Sequence, residues 1–244
     1  MRNIKLTISY DGTNYRGWQI QKNGITVQEV IEKAIQKVFE KKCRLFGAGR
    51  TDSGVHAKGQ VANFKTVAKI SLQKIKAALN ANLPEDIVIK KAEEVSLDFH
   101  SQFSAKKKKY KYILYNSKSP EPFLSRYSWQ VMYKLDLSLM KKEAKILIGK
   151  HDFKSFQATD KKDRASVRTI ENIVVKKRGK QISIELTGNG FLYNMVRNIV
   201  GTLIDIGRGY LASGSMKIIL SKKNRSLAGP TAPAKGLFLM KIEY

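Results

Sequence analysis

Apolar and polar residues alternate at the start of the chain, with Ile4, Leu6, Ile8 and Tyr10 at every second position. That is the period of a strand with one buried face. Asp11-Gly12 then offers a turn. Beyond it the period changes: Val27, Val30, Ile31, Ala34, Ile35, Val38 and Phe39 recur at three- and four-residue intervals, which predicts an amphipathic helix. Thr26, with Glu29 three residues later, is a capping-box start for that helix. Strands are predicted over 42–46 and 59–64, flanking a glycine-rich loop, and over 86–95 and 109–115. A shorter helix over 71–80 must end before Pro84.

In the second half, Leu137, Met140, Ala144, Leu147 and Ile148 mark a helix, with Asp136 as N-cap and Gly149 as its stop. Arg178-Gly179 joins strands at 173–177 and 181–187 as a hairpin. Residues 191–206 are apolar on more than one face, the pattern of a buried helix despite Gly201, and 236–244 reads as a final strand. Strands mixed with helices and joined by hairpins give an α+β fold with a largely antiparallel sheet. At about 150 residues per domain, 244 residues make one large or two small domains. Proline, serine and asparagine gather over 116–126, which divides the chain into an N-terminal half, 1–116, and a C-terminal half, 117–244.

Charge narrows the partner. Lys and Arg number 46 against 20 Asp and Glu, a net +26. A compact chain so charged repels itself, so the expected partner is a polyanion, either nucleic acid or an anionic membrane surface. No uncharged run approaches the ~18 apolar residues of a spanning helix, and the alternating start is unlike a signal peptide. Cys43 alone excludes an internal disulfide, and with only His56, His100 and His151 beside it no zinc site is expected. These features point to a soluble protein of a reducing compartment.

Three places could carry chemistry. Residues 46–56, from Phe46 through Gly47, Gly49, Arg50, Thr51, Asp52 and Gly54 to His56, form the loop richest in glycine and polar groups. Its spacing fits neither a dinucleotide loop nor a Walker loop. It reads either as a tight turn around Asp52-Ser53-Gly54 or as a backbone bent closely around a ligand. Tyr110, Tyr112 and Leu114 share one strand face just after Lys106, Lys107, Lys108 and Lys109. That is a core strand beside a solvated lysine run, or rings for bases and ammonium groups for phosphates. Arg197 interrupts the apolar run Met195–Val200, and a buried guanidinium requires a partner.

Taken together, these residues resemble the bacterial tRNA pseudouridine synthase A (TruA) family. The blocks are Tyr10-Asp11-Gly12 through Gln21, Gly49-Arg50-Thr51-Asp52 through Ala57, Phe103-Ser104-Ala105 leading to Tyr112, Gly190 through Gly201, and Gly236-Leu237-Phe238-Leu239. They follow the family's order from about residue 4 to the last. The resemblance implies isomerisation of uridine to pseudouridine at nucleotides 38, 39 and 40 of the tRNA anticodon stem-loop. It makes Asp52 the catalytic aspartate and Tyr110 the ring stacked on the target uracil. Arg197 becomes the cation paired with Asp52, Arg50 helps to extrude the base, and Leu237, or Leu239 close by, lines the pocket. It also implies a cytoplasmic homodimer without cofactor or metal. Its two pseudo-symmetric α+β halves would have sheets joined across a central cleft that takes the flipped base, with helices on the outer faces. Ser53 stands where alanine is common in the family, and Lys109 and Lys111 where arginine is common, which loses the bidentate fork. The main rival is a non-catalytic RNA-binding protein, which has no use for a glycine-bracketed aspartate. A zinc base deaminase lacks its ligands here, and a membrane-surface protein lacks a helix with one basic and one aromatic face.

Overall fold

The computed structural model describes residues 1–159 and 165–244. In chain order the elements are β1 (Arg2–Tyr10), α1 (Val27–Phe39), β2 (Phe46–Gly47), β3 (His56–Thr66), α2 (Leu72–Ala81) and β4 (Ile87–Val95). There follow β5 (Lys107–Asn116), β6 (Trp129–Val131), α3 (Leu137–Lys145), β7 (Gly149–Asp152), β8 (Val167–Arg178) and β9 (Gln181–Gly188). The last are α4 (Met195–Gly207), α5 (Ser215–Lys222) and β10 (Leu237–Glu243). The fold is mixed α+β and mostly antiparallel. The chain forms two compact units, Met1–Lys106 with Phe238–Tyr244, and Lys107–Leu237. The cut thus falls ten residues before the 116/117 division read from composition, because β5 runs unbroken through that region before the prolines arrive.

In the first unit β1 lies between β3 and β4, antiparallel to both. Ile4, Leu6 and Ile8 have no exposed surface, as the alternation predicts. β10 runs parallel to β3, with Phe238 opposite His56. α1 spans the residues its periodicity predicts, and the Phe39 ring meets that of Phe64 on β3 edge-on at 5.5 Å. Only half of the capping box forms. Thr26 accepts the Glu29 N–H, whereas the Glu29 carboxylate turns to Lys33 at 2.7 Å.

The strand expected over 42–46 shrinks to Phe46–Gly47. Side chains of α1 satisfy the intervening backbone instead. Glu32 Oε1 accepts the Leu45 N–H at 2.9 Å, and Gln28 Nε2 donates to the Leu45 carbonyl at 3.0 Å. With its polar groups paired, buried Leu45 needs no neighbouring strand.

In the second unit β9 lies between β5 and β8, β7 extends the sheet beyond β8, and all are antiparallel. β6 adds a parallel partner on β5. The predicted hairpin turns at Gly179, whose φ is +57°. Asp136 caps α3 by accepting the Leu139 N–H at 2.9 Å. Gly149 lies four residues past the end of α3 and opens β7 instead.

The helix read over 191–206 begins only at Met195. Asn194 takes the left-handed conformation, φ +57°, which asparagine tolerates better than most residues. α4 buries every residue except Arg197. Gly201 belongs there because a Cβ would stand 1.8 Å from the Pro230 carbonyl oxygen, so helix and following segment meet backbone to backbone. Among the described residues no helix is long and apolar enough to cross a membrane.

Gly201→Ala is therefore expected to destabilise the fold by at least the 1–3 kcal/mol typical of overpacking. Thermal unfolding should show a melting point lower by roughly 3–10 °C.

Candidate active site

The glycine-rich loop is held from below by residues 10–18. Tyr10, at the end of β1, is buried, and its phenol and the Thr51 hydroxyl lie 2.7 Å apart. Burial pushes the Tyr10 phenol well above its ordinary pKa, opposed by hydrogen bonds with Thr51 and Gln60. The Trp18 N–H donates to the Thr51 carbonyl at 3.0 Å, and the Gln60 amide donates to the Gly49 carbonyl at 2.7 Å. The two segments touch so closely that a Cβ on Gly12 would lie 2.0 Å from the Val55 oxygen. One on Gly17, whose φ is +86°, would lie 2.5 Å from the Thr51 oxygen. Both positions accept only glycine.

On this base the chain turns through Asp52-Ser53-Gly54-Val55. The Val55 N–H donates to the Asp52 carbonyl at 3.1 Å, with Gly54 at φ +75°. The turn reading of the loop thus holds, and it carries the Asp52 side chain half-buried between buried Thr51 and exposed Ser53. Arg50 is exposed two residues earlier.

No serine–histidine couple forms through Ser53, whose hydroxyl donates to the Tyr15 carbonyl at 3.2 Å. His56 is buried and serves the scaffold. Its Nδ1 accepts the Gly12 N–H at 3.0 Å, lies 3.0 Å from Asp11 Oδ1, and its ring stacks on Phe238 at 4.7 Å.

The remaining candidates, apart from Leu239 on β10 of the first unit, belong to the second unit. Tyr110 on β5 is 7% exposed, and Phe191 braces its ring edge-on at 5.2 Å. Tyr112, two residues on, is wholly buried and donates to the Pro233 carbonyl at 2.7 Å. Burial drives its phenol pKa upward, and the nearby Arg197 charge opposes the rise. Arg197 donates from Nε to the Ala232 carbonyl at 2.7 Å and from Nη1 to Asn194 Oδ1 at 2.9 Å.

Asn194 therefore spends its side chain on the arginine and not on capping α4. Arg197 and Tyr112 together clamp residues 232–233, close before Leu237. A Cβ on Gly236 would strike the Tyr112 ring at 2.6 Å, so glycine at 236 admits that ring. Leu237 and Leu239 are both buried.

The lysine run differs from a bare phosphate clamp. Lys107 pairs with Glu171 at 2.8 Å, while Lys109 and Lys111 share Glu185 at 2.7 and 3.3 Å. Their hydrogen bonds hold Glu185 below the usual carboxylate range, Lys109 first, against the opposing effect of burial. Burial, with Arg168 nearby, pulls Lys108 below the usual lysine value.

Sequence reasoning gave no supporting role to the residues that hold these side chains: Tyr10, Gly12, Gly17, Trp18, His56, Phe191 and Gly236. Several stand in the family blocks, but nothing in a linear pattern says that residues 10–18 lie under residues 51–56. Among the described residues no three or more histidine, cysteine, aspartate or glutamate side chains gather as a metal site needs.

A family profile described as tRNA pseudouridine synthase matches residues 6–104 and 144–244. Proteins called tRNA pseudouridine synthase A align over the full length of both chains. That of Thermoanaerobacter sp. (strain X514) is 50% identical, that of Ruminiclostridium cellulolyticum 51%, and that of Acetivibrio thermocellus 47%. Among solved structures, an archaeal box H/ACA sRNP Nop10-Cbf5 complex overlays 92% of this chain and 59% of that one. The TM-score is 0.37 at 9% identity, a likeness too loose to bear on the fold.

If the Tyr10–Thr51 pair fixes the loop, Thr51→Val should cost about 1–3 kcal/mol, because it strips a buried phenol of a partner. Tyr10→Phe combined with Thr51→Val should cost less than the sum of the two single changes. Urea unfolding of the three variants measures the coupling, and strict additivity would show that the pair contributes nothing.

Proposed function

The chain belongs to the tRNA pseudouridine synthase family and is such an isomerase, and from that premise we propose that it converts uridines 38, 39 and 40 of the tRNA anticodon stem-loop to pseudouridine. The reaction breaks the bond between uracil N1 and the ribose, turns the base, and rebuilds the link through C5. Those atoms are shielded within a stacked helix, so the nucleotide must be flipped out at a cost of a few kcal/mol.

In this reading Asp52 is the catalytic carboxylate, attacking the substrate as a nucleophile or taking and returning a proton at the sugar. The observation that carries the assignment is the way Gly12, Gly17, Tyr10 and Trp18 hold the Asp52 turn from beneath. A reactive group needs that kind of fixed backbone. Tyr110 offers a ring face to the target uracil, worth about 1–3 kcal/mol per stacked base, and its phenol helps to move a proton. The edge-on Phe191 ring supports this role by fixing the plane of Tyr110.

Arg197 supplies a positive charge that keeps Asp52 ionised once the base excludes water. A cation at about 4 Å is worth about 4 kcal/mol at an effective dielectric of 20. Arg50, exposed beside the turn, replaces the extruded base, and Leu237 lines the uracil pocket. The enzyme works as a cytoplasmic homodimer without cofactor or metal. These assignments follow the family resemblance, residue by residue.

The test uses unmodified tRNA transcript tritiated at uracil C5, since forming pseudouridine must release that hydrogen. Wild type should release tritium, with the sites mapping to 38–40, while Asp52→Asn binds tRNA and releases none. Activity above a tenth of wild type in Asp52→Asn would remove Asp52 from the chemistry. Arg197→Met should lose most of the rate and also melt lower, because the Ala232 and Asn194 contacts go with the charge. If about six phosphates are engaged, affinity should fall about a thousandfold between 50 and 200 mM salt. A flat salt response would contradict electrostatic tRNA binding.

A further inference from the structure

The first unit carries a column of four side chains that the reaction does not use. Arg44 sets its guanidinium 5.1 Å over the Phe46 ring, and Phe46 lies 5.0 Å from His100. His100 in turn lies 4.4 Å from Phe103 at an interplanar angle of 32°. Phe103 ends the column 79% exposed.

A lone exposed apolar side chain needs no explanation. The support beneath this one does. Asn3, Asn63 and Ser101 are all buried. Asn63 Nδ2 donates to Asn3 Oδ1 at 2.9 Å, and Asn63 Oδ1 accepts the Ser101 N–H at 2.9 Å. Asn3 Nδ2 donates to the carbonyls of Ser96 and Phe99, each at 2.9 Å. The Ser101 hydroxyl donates to the Phe46 carbonyl, and its own carbonyl accepts the Tyr244 phenol at 2.9 Å. His100 is oriented by the Gln102 N–H on its Nδ1 at 3.2 Å. A fully paired buried network of this kind fixes one conformation, and here it fixes the loop that presents Phe103 to solvent.

We propose that Phe103, backed by His100, Phe46 and Arg44, is a stacking platform for an unpaired base of the tRNA other than the target uridine. The inference rests on the tRNA-modifying function proposed above. Base stacking suits the ring because it accepts any π-face, and a guanidinium at the far end of the column adds attraction for an anionic strand. Arg44 has no acidic partner among the described residues, and the chain as a whole carries +26. Phe46 stands six residues before Asp52 and pairs β2 to β3 opposite Asn63. The column is therefore built on the same strand that leads into the catalytic turn.

The test compares wild type, Phe103→Ala and Phe103→Trp in filter binding of unmodified tRNA transcript at fixed salt. Phe103→Ala should weaken binding about tenfold, within the range of one lost stack. Phe103→Trp should bind within twofold of wild type. The salt slope should stay the same because no phosphate contact is lost. An RNA duplex with no unpaired bases should bind wild type and Phe103→Ala alike.

An alanine variant that binds tRNA within twofold of wild type would overturn the platform. So would one that melts lower, since the ring would then serve the fold. If light scattering gives two copies for wild type and one for Phe103→Ala, the ring belongs to a protein interface and the inference fails. Phe103-dependent binding in a wild type that releases no tritium would keep the platform and remove the reaction proposed above, so the two failures are separable.

Discussion

Where Gly12 and Gly17 lie against the carbonyls of Val55 and Thr51, no Cβ fits between the two backbones, and the position of Asp52 follows from that contact. The 51–55 turn is not free to adapt to a ligand. It rests on residues 10–18 through the Tyr10–Thr51 and Trp18–Thr51 hydrogen bonds, and those residues follow directly on β1, which is paired on both sides by β3 and β4. Buried His56 extends the same construction by joining the Gly12 backbone to Phe238. A carboxylate on a loop is normally mobile. Here the loop acquires the rigidity of the sheet beneath it, which is the preorganisation that the role proposed for Asp52 requires.

The charge of the chain is similarly structured. An excess of 26 cations suggests a uniformly adhesive surface, yet the sheet of the second unit neutralises part of it. Glu185 holds Lys109 and Lys111, and Glu171 holds Lys107. Exposed pairs of this kind contribute little stability, at most about 1 kcal/mol each. Their effect is to set where lysine ammonium groups stand along β5, the strand that also carries Tyr110. The lysine charge of β5 is thus a matter of position as much as of total number.

Much of the fold is legible in the sequence because two signals are strong. The 3.6-residue period over 27–39 gives α1 with its bounds, and the alternation at Ile4, Leu6 and Ile8 gives β1 with its buried face. The misreadings share one cause, which is that tertiary partners satisfied a local pattern differently. Glu32 and Gln28 replaced the strand neighbour expected for Leu45, and Asn194, left-handed and bonded to Arg197, holds the chain out of the helix until Met195. For the site, the residues proposed to carry the chemistry stand in the motif blocks, whereas the residues that hold them do not declare themselves. Gly12, Gly17 and Gly236 look like ordinary turn glycines until the atoms they would strike are known. Tyr112 looks like a second stacking ring until its phenol is found bonded to Pro233 inside the unit.

The parallel pairing of β10 with β3 has a consequence for the order in which the protein can assemble. β3 leads out of the Asp52 turn, and one of its partners is translated only after the whole second unit, Lys107–Leu237, has been made. At about 5–20 residues per second, those roughly 130 residues keep His56 and Ala57 at the start of β3 without their β10 partners for some 7–26 s on the ribosome. During that interval the first unit presents an unpaired strand edge, which is a template for association with other chains. Nascent molecules therefore pass through a stage in which the start of β3, at His56 and Ala57, lacks the strand that later covers it. Expression yield should depend on how fast the second unit is translated and on what shields β3 in the meantime.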